Sequence, residues 1–206
     1  YAAVCDYKTG SPKLSLNEIM EGLSLQLITY LLALSKTKDT KDLLPAAMMY
    51  IYLHGRPKSI SVPPNGISHP KEKENTNGIF LNDPDVLRTL DSQSGTDDGF
   101  IGVSYGKDGS VKKTSPVLTA EEFEALKALT EKTLIRLYSR LESGEIAIHP
   151  VKNGTLSPCS YCPYRSICRF DPALPENSFD YISKVSDKTI REKLDEEMKR
   201  NGKENL

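Results

Sequence analysis

Tyr1-Ala2-Ala3-Val4-Cys5-Asp6-Tyr7-Lys8 opens the chain, and Gly22-Leu23-Ser24-Leu25-Gln26-Leu27-Ile28-Thr29-Tyr30 follows after a polar break. The first run is apolar to Val4 and polar beyond it. It predicts a strand over residues 1–8 that carries chemistry at its end and is broken by Thr9-Gly10-Ser11-Pro12. Residues i and i+2 of a strand share a face, so Asp6 and Lys8 project together and Tyr7 turns away. The second run lies in a helix predicted over 16–36, where Leu23, Leu27, Leu31 and Leu34 recur at helical spacing. Gln26 and Tyr30, four apart, share one face of that helix. Ala46–Leu53, after Pro45, reads as a second buried strand. Strand, helix, strand is the order of an α/β unit, with a core expected from Val4, Leu23, Leu27, Leu31, Met49 and Ile51.

Outward from this unit the signals are local. Residues 55–78 are rich in Pro, Gly, Ser, Asn and Lys and read as a loop, part of a loop-rich insertion around 55–118. Phe80–Asp91 holds a strand end and a short helix. Phe100–Tyr105 and Ser110–Thr114 are expected to pair as a hairpin around Gly106-Lys107-Asp108-Gly109. Thr119-Ala120-Glu121-Glu122 is a capping box that opens a helix to about Ser143, stopped by Gly144. Glu145–His149 reads as a short strand ended by Pro150, and the tail from Asp180 as a charged helix poorly anchored at its end. Two parts are expected: 1–155, and a cysteine-bearing segment with its tail, 156–206.

With 27 basic and 28 acidic residues the net charge is −1, so composition leaves no general nucleic-acid footprint. No apolar run reaches 18 residues, which argues against a membrane-spanning helix. Tyr1 leads straight into a strand, with no charged leader, so a cytoplasmic location and a chain cut from a longer one are expected.

A carboxylate beside an ammonium at a strand end suits phosphodiester hydrolysis. Asp6, and the carbonyl of Tyr7, offer oxygen ligands to Mg²⁺. A bound metal lowers the pKa of its water, and Lys8 orients that water or stabilises developing charge. Taken alone, Asp6 and Lys8 also fit a surface ion pair, and Gln26 and Tyr30 fit a solvated Gln beside a core-edge Tyr.

Cys159, Cys162 and Cys168 fall within ten residues, and Cys5 stands far away. This C-x₂-C-x₅-C spacing points to ligation rather than a disulfide framework. Four thiolates suit a [4Fe–4S] cluster, and zinc accepts Cys₄ or Cys₃His, so cluster and zinc both stand. His149, ten residues before Cys159, is a zinc-ligand candidate that also fits a solvent-exposed strand-end His. His69 sits in a polar loop, and Lys71-Glu72-Lys73-Glu74 mixes signs as a solvated face does. Cys5 is expected to be a small buried strand residue facing away from Asp6.

Asp6-Tyr7-Lys8 on a strand, with Gln26-x-x-x-Tyr30 on the next helix, resembles the PD-(D/E)xK nucleases of the RecB class. The resemblance implies a restriction-endonuclease-like α/β (α+β) core, Asp6 as Mg²⁺ ligand, Lys8 as catalytic residue, and Gln26 and Tyr30 positioning DNA. Cys159-Ser-Tyr-Cys162-Pro-Tyr-Arg-Ser-Ile-Cys168-Arg-Phe-Asp resembles the C-terminal iron–sulfur staple of the AddB family, and Leu44–Tyr50 resembles it too. That implies a [4Fe–4S] cluster, a DNA exonuclease role within a helicase–nuclease that processes double-strand breaks, and an AddA-type partner subunit in a heterodimer. CRISPR-adaptation exonucleases share both motifs, and a non-catalytic zinc or cluster-bearing interaction module is a further alternative. The family also uses an acidic residue, often a His, and a fourth cysteine upstream of this strand. The five residues before Asp6 hold neither the acid nor the His. The chain alone is therefore expected to carry neither a complete cluster nor an ordered catalytic metal.

Overall fold

The computed structural model describes residues 1–10, 12–53, 76–96, 99–175 and 177–204. A four-stranded mixed sheet runs β1 (Ala2–Lys8), β2 (Pro45–Tyr52), β3 (Thr76–Leu81), β4 (Val117–Leu118) in spatial order. β1 is parallel to β2, β3 antiparallel to β2, and β4 parallel to β3. A parallel pair needs a crossover, which α1 (Leu16–Met20) and α2 (Gln26–Lys36) supply.

The helix expected over 16–36 is thus two helices. The backbone turns left-handed at Gly22 (φ +84°) and again at Ser24 (φ +50°), and no helix continues through such a pair. Leucine spacing spans the break, which is why it reads as continuous. Leu27 and Leu31 are buried, while Leu23 and Leu34 sit at the half-buried edge.

β2 is covered on both faces, which explains its unbroken apolar run Ala46-Ala47-Met48-Met49. Met48 and Tyr50 face a cluster with Val4, Leu27, Ile28, Phe123, Leu126 and Leu194. Ala47 and Met49 face a smaller one with Phe80, Leu87, Ile101 and Val103, built on α3 (Pro84–Leu90) and the 100–117 segment. Of the expected core, Val4, Leu27, Leu31 and Met49 are buried and Ile51 is half-buried. α4 (Ala120–Glu142) starts in the expected capping box: Glu122 N–H donates to Thr119 Oγ1 (3.2 Å), and Thr119 N–H to Glu122 Oε2 (2.8 Å). It stops at Gly144 (φ +73°). Phe123 and Leu126 are fully buried, but every residue from Ile135 to Glu142 is exposed.

Several expectations need correction. Residues 76–78, expected as loop, begin β3, and the insertion also carries α3 and β4. His54, His69 and Lys71–Glu74 lie outside the described residues. The 100–114 hairpin is a single bridge, Tyr105 to Val111. Backbone bonds close only its tip, from Lys112 N–H to Ser104 O (2.8 Å) and from Gly106 N–H to Ser110 O (2.7 Å), and side chains hold the rest. The Asp91 carboxylate accepts from Phe100 N–H (2.7 Å) and Ile101 N–H (3.2 Å), and Ser115 Oγ accepts from Ser104 N–H (3.0 Å). Glu145–His149 forms no strand. Pairing starts beyond Pro150, whose carbonyl accepts from Asp180 N–H (3.1 Å), as β5 (Val151–Lys152) beside β6 (Asp180–Tyr181). The helix of the tail, α6 (Asp187–Glu204), starts later than Asp180 and buries Ile190 and Leu194 against α4, while the side chains of the tail's end, 201–206, lie outside the described residues. Its Glu197, 1% exposed, pairs with Lys132 of α4 and with Arg200.

Candidate active site

β1 ends where α2 begins, and the four singled-out side chains meet there. Lys8 Nζ lies 2.6 Å from Asp6 Oδ2 and donates to Gln26 Oε1 (3.2 Å). Gln26 Nε2 donates to Tyr30 Oη (3.2 Å) and more weakly to Asp6 Oδ1 (3.5 Å). Gln26 is the first residue of α2, so one side chain ties the strand pair to the helix. The Tyr7 side chain points to the other face, as strand alternation requires, and is exposed.

Two neighbours complete the centre without a sequence signal of their own. Tyr50 is the register partner of Asp6 on β2, is buried, and places its ring under Lys8 Nζ, 5.1 Å from the centroid. Glu18 on α1 accepts a hydrogen bond from Ser24 Oγ (2.9 Å), fixing the left-handed turn two residues before Gln26. A β-strand register was needed to find Tyr50, and a turn geometry to find Ser24.

Electrostatics keep Lys8 an ammonium. Its hydrogen bond to Asp6 holds its pKa above the ordinary lysine value, with partial desolvation opposing. Burial pushes the Tyr50 phenol up, so it stays neutral beside the cation. Asp6 Oδ2 is buried and lacks a well-directed hydrogen bond, with only the Lys8 charge beside it. A carboxylate oxygen whose close partner is one ammonium keeps lone pairs that suit a hard cation. The donor set is nevertheless short: among the described residues no three Asp, Glu, His or Cys side chains gather closely enough to hold a metal ion.

Cys159, Cys162 and Cys168 line one cavity of about 290 Å³, with Lys152 and Arg165 on its wall. Cys159 and Cys162 are half-buried and Cys168 is exposed. Cys5 lies elsewhere and is exposed rather than buried, because β1 is an outer strand with that face uncovered. Its thiol is still pushed up in pKa by partial desolvation. His149, half-buried, pairs with Ser178 Oγ (3.1 Å) and does not line the cysteine cavity.

Residues 1–169 match the PD-(D/E)XK nuclease superfamily. The chain belongs to that superfamily. Its mixed sheet flanked by helices agrees with the expected nuclease core. Among curated relatives, it is 32% identical over 200 residues to the B subunit of the ATP-dependent helicase/deoxyribonuclease of Desulforamulus reducens, covering 92% of this chain and 17% of that protein. It is 34% identical over 198 residues to the protein of the same name from Clostridium kluyveri, with 92% and 17% covered. For that of Clostridium acetobutylicum the identity is 30% over 213 residues, with 99% and 18% covered. The chain thus spans under a fifth of the length of these relatives. Among the described residues no helix is long and apolar enough to cross a membrane.

Proposed function

We propose that this chain is the nuclease portion of a helicase–deoxyribonuclease subunit and hydrolyses DNA phosphodiester bonds at the Asp6–Lys8–Gln26–Tyr30 centre. The single observation that carries this is the hydrogen-bonded joining of those four side chains in a member of the PD-(D/E)XK superfamily. The curated relatives' names agree with it. The wider role is exonucleolytic processing of double-strand breaks for recombinational repair, in a heterodimer with an AddA-type subunit.

Asp6 Oδ2 and the Tyr7 carbonyl would hold Mg²⁺, with further ligands from outside the described residues. When bound, the ion would supply a water of lowered pKa and offset charge on the scissile phosphate. Lys8, held cationic by Asp6, is a hydrogen-bond donor to the phosphate rather than a base. Gln26 fixes the Lys8 and Asp6 rotamers. The Tyr30 hydroxyl, on a side chain 48% exposed, meets the incoming strand.

The cysteine segment, 156–206, is proposed to bind a [4Fe–4S] cluster through Cys159, Cys162 and Cys168, with a fourth ligand from elsewhere in the parent chain. A lone zinc needs its thiolates about 2.3 Å from one point. Three thiols lining one cavity are compatible with a polynuclear cluster, and the Lys152 and Arg165 charges on its wall suit the anionic character of one. With one carboxylate and three thiols, the 206-residue chain by itself should hold either group weakly.

The test is cleavage of end-labelled DNA by the full-length protein with its partner, with Mg²⁺ and with chelator. Asp6→Ala and Lys8→Met should each abolish the cut made by this protein and leave unwinding intact. Unchanged cleavage in Asp6→Ala would refute the assignment.

A further inference from the structure

We infer that a lysine-edged groove beside the Asp6–Lys8 centre binds the phosphodiester backbone of single-stranded DNA. The inference rests on the nuclease reading and names how that site receives its substrate.

The groove is a cavity of about 510 Å³ between the start of α1, β3, the 113–117 turn and the segment leading into α6. Lys13, Lys113 and Lys184 stand on its rim, all exposed and none with an ion-pair partner among the described residues. Two carboxylates, Glu18 and Asp187, line the same groove and offset part of this charge. Arg191 is held by Glu122 and by the Val117 carbonyl, Glu18 accepts from Ser24, and Asp187 is the exposed first residue of α6. The three ammonium groups outnumber the two carboxylates, which leaves the groove net positive in a chain whose net charge is −1.

The lysines are not on loose loops. Leu14 N–H donates to Asn77 Oδ1 (2.5 Å), which fixes the backbone beside Lys13. Asn17 clamps both sides of Lys184: its Nδ2 donates to Ser183 O (3.1 Å) and its Oδ1 accepts from Val185 N–H (3.3 Å). Near Lys113, Ser115 is pinned by Ser104 through its hydroxyl and donates its N–H to Lys112 O (2.9 Å). With the backbone fixed, only the lysine side chains have to be ordered when they meet an anion.

Sheet register links the groove to the nuclease centre. Asp6 pairs with Tyr50, and Tyr50 pairs with Asn77, so the three lie in one line across the same face. Asn77 lines the groove. Two strand spacings of about 4.8 Å put it about 10 Å from Asp6, within reach of a few nucleotides of one strand. A strand with its scissile phosphate at Asp6 thus lays neighbouring phosphates over the lysines. The groove is too small for a duplex, and its cations recognise phosphates rather than bases.

The test uses the full-length protein, a short labelled single strand without helicase fuel, and a triple Lys13→Ala, Lys113→Ala, Lys184→Ala variant. The variant should raise KM about tenfold or more with kcat within about twofold, and the slope of log KM against log salt should fall by about 2, since each single-strand phosphate contact contributes about 0.7. The triple Arg variant should restore both, and a blunt duplex of the same length should show a smaller change. An unchanged KM and salt slope would overturn the proposal, as would a fall in kcat alone or an effect on duplex equal to that on single strand. If the wild type cuts nothing, the nuclease reading fails separately. Equal binding of a fluorescent oligothymidine by wild type and variant would then overturn the groove, and weaker binding by the variant would support it.

Discussion

Replacing Ser24 tests how the strained turn before α2 sets the site. Ser24 stands in the left-handed region (φ +50°), and its hydroxyl donates to Glu18 Oε2 at 2.9 Å in a half-buried setting. A hydrogen bond to a charged group contributes about 1.5–3 kcal/mol when well buried. Half-burial brings this to about 1–1.5 kcal/mol. Ser24→Ala keeps the backbone strain and loses the bond, so it should destabilise by about 1–1.5 kcal/mol, or about 2–6 °C in Tm for a chain of this size. Ser24→Gly also loses the bond but relieves a left-handed cost of about 1–2 kcal/mol, against about 0.5–1 kcal/mol of extra unfolded-chain freedom. The glycine variant should therefore sit above the alanine variant and within about 1 kcal/mol of the wild type. Urea titrations of all three proteins read this order directly. If Ser24→Ala matched wild type, the Glu18 bond would contribute nothing. If Ser24→Gly fell below Ser24→Ala, the strain argument would be wrong.

At the α4–α6 interface, Glu197 is buried while Lys132 is about half exposed. Glu197→Leu should cost less than about 1 kcal/mol, whereas Lys132→Met, which leaves a buried carboxylate with only Arg200 at 3.5 Å, should cost about 2–3 kcal/mol by thermal denaturation. Lys8 and Tyr50 both have folded pKa values raised above their ordinary 10.5 and 10.0. Their contribution is complete below those values and lost as pH rises through the folded ones, so Tm should decline above about pH 10. Asp6→Asn removes the largest cause for Lys8, and the lysine's titration by NMR should move down. A titration that stays put would deny the pairing. Cys162→Ser in the full-length protein should lose iron and acid-labile sulfide while far-UV circular dichroism of the nuclease core stays the same; retained sulfide would contradict the proposed ligand set.

The site was legible because its chemistry is periodic. Asp6 and Lys8 follow strand alternation and Gln26 and Tyr30 follow helical spacing, and each period names a face without any knowledge of the partner element. Tyr50 was not legible, since only strand register places it under Lys8. The α1–α2 break was missed because leucine spacing survives a left-handed turn. The 100–114 segment looked like a hairpin from its turn residues, but Asp91 and Ser115 take the backbone groups a ladder would have used. Glu145–His149 has strand-like residues and no partner. Pairing falls on Val151 and Lys152, where β6 is within reach.

α4 is 23 residues long, about 35 Å end to end. Its first half is clamped between the sheet and α6, and its last eight residues touch solvent all round, ending at the glycine that leads to the cysteine segment. Mechanically it is a cantilever: rooted against the sheet, α2 and α6, and free at the end that leads to the cysteine segment. Bending at the tip does little at the root. Lengthening the chain at Gly144 by a few residues should therefore swing the cysteine segment to a new position while the Lys8–Gln26 hydrogen bond keeps its geometry. The cysteine segment and the Asp6–Lys8 cluster can then shift relative to each other in evolution through changes at one glycine, without a change in either set of residues.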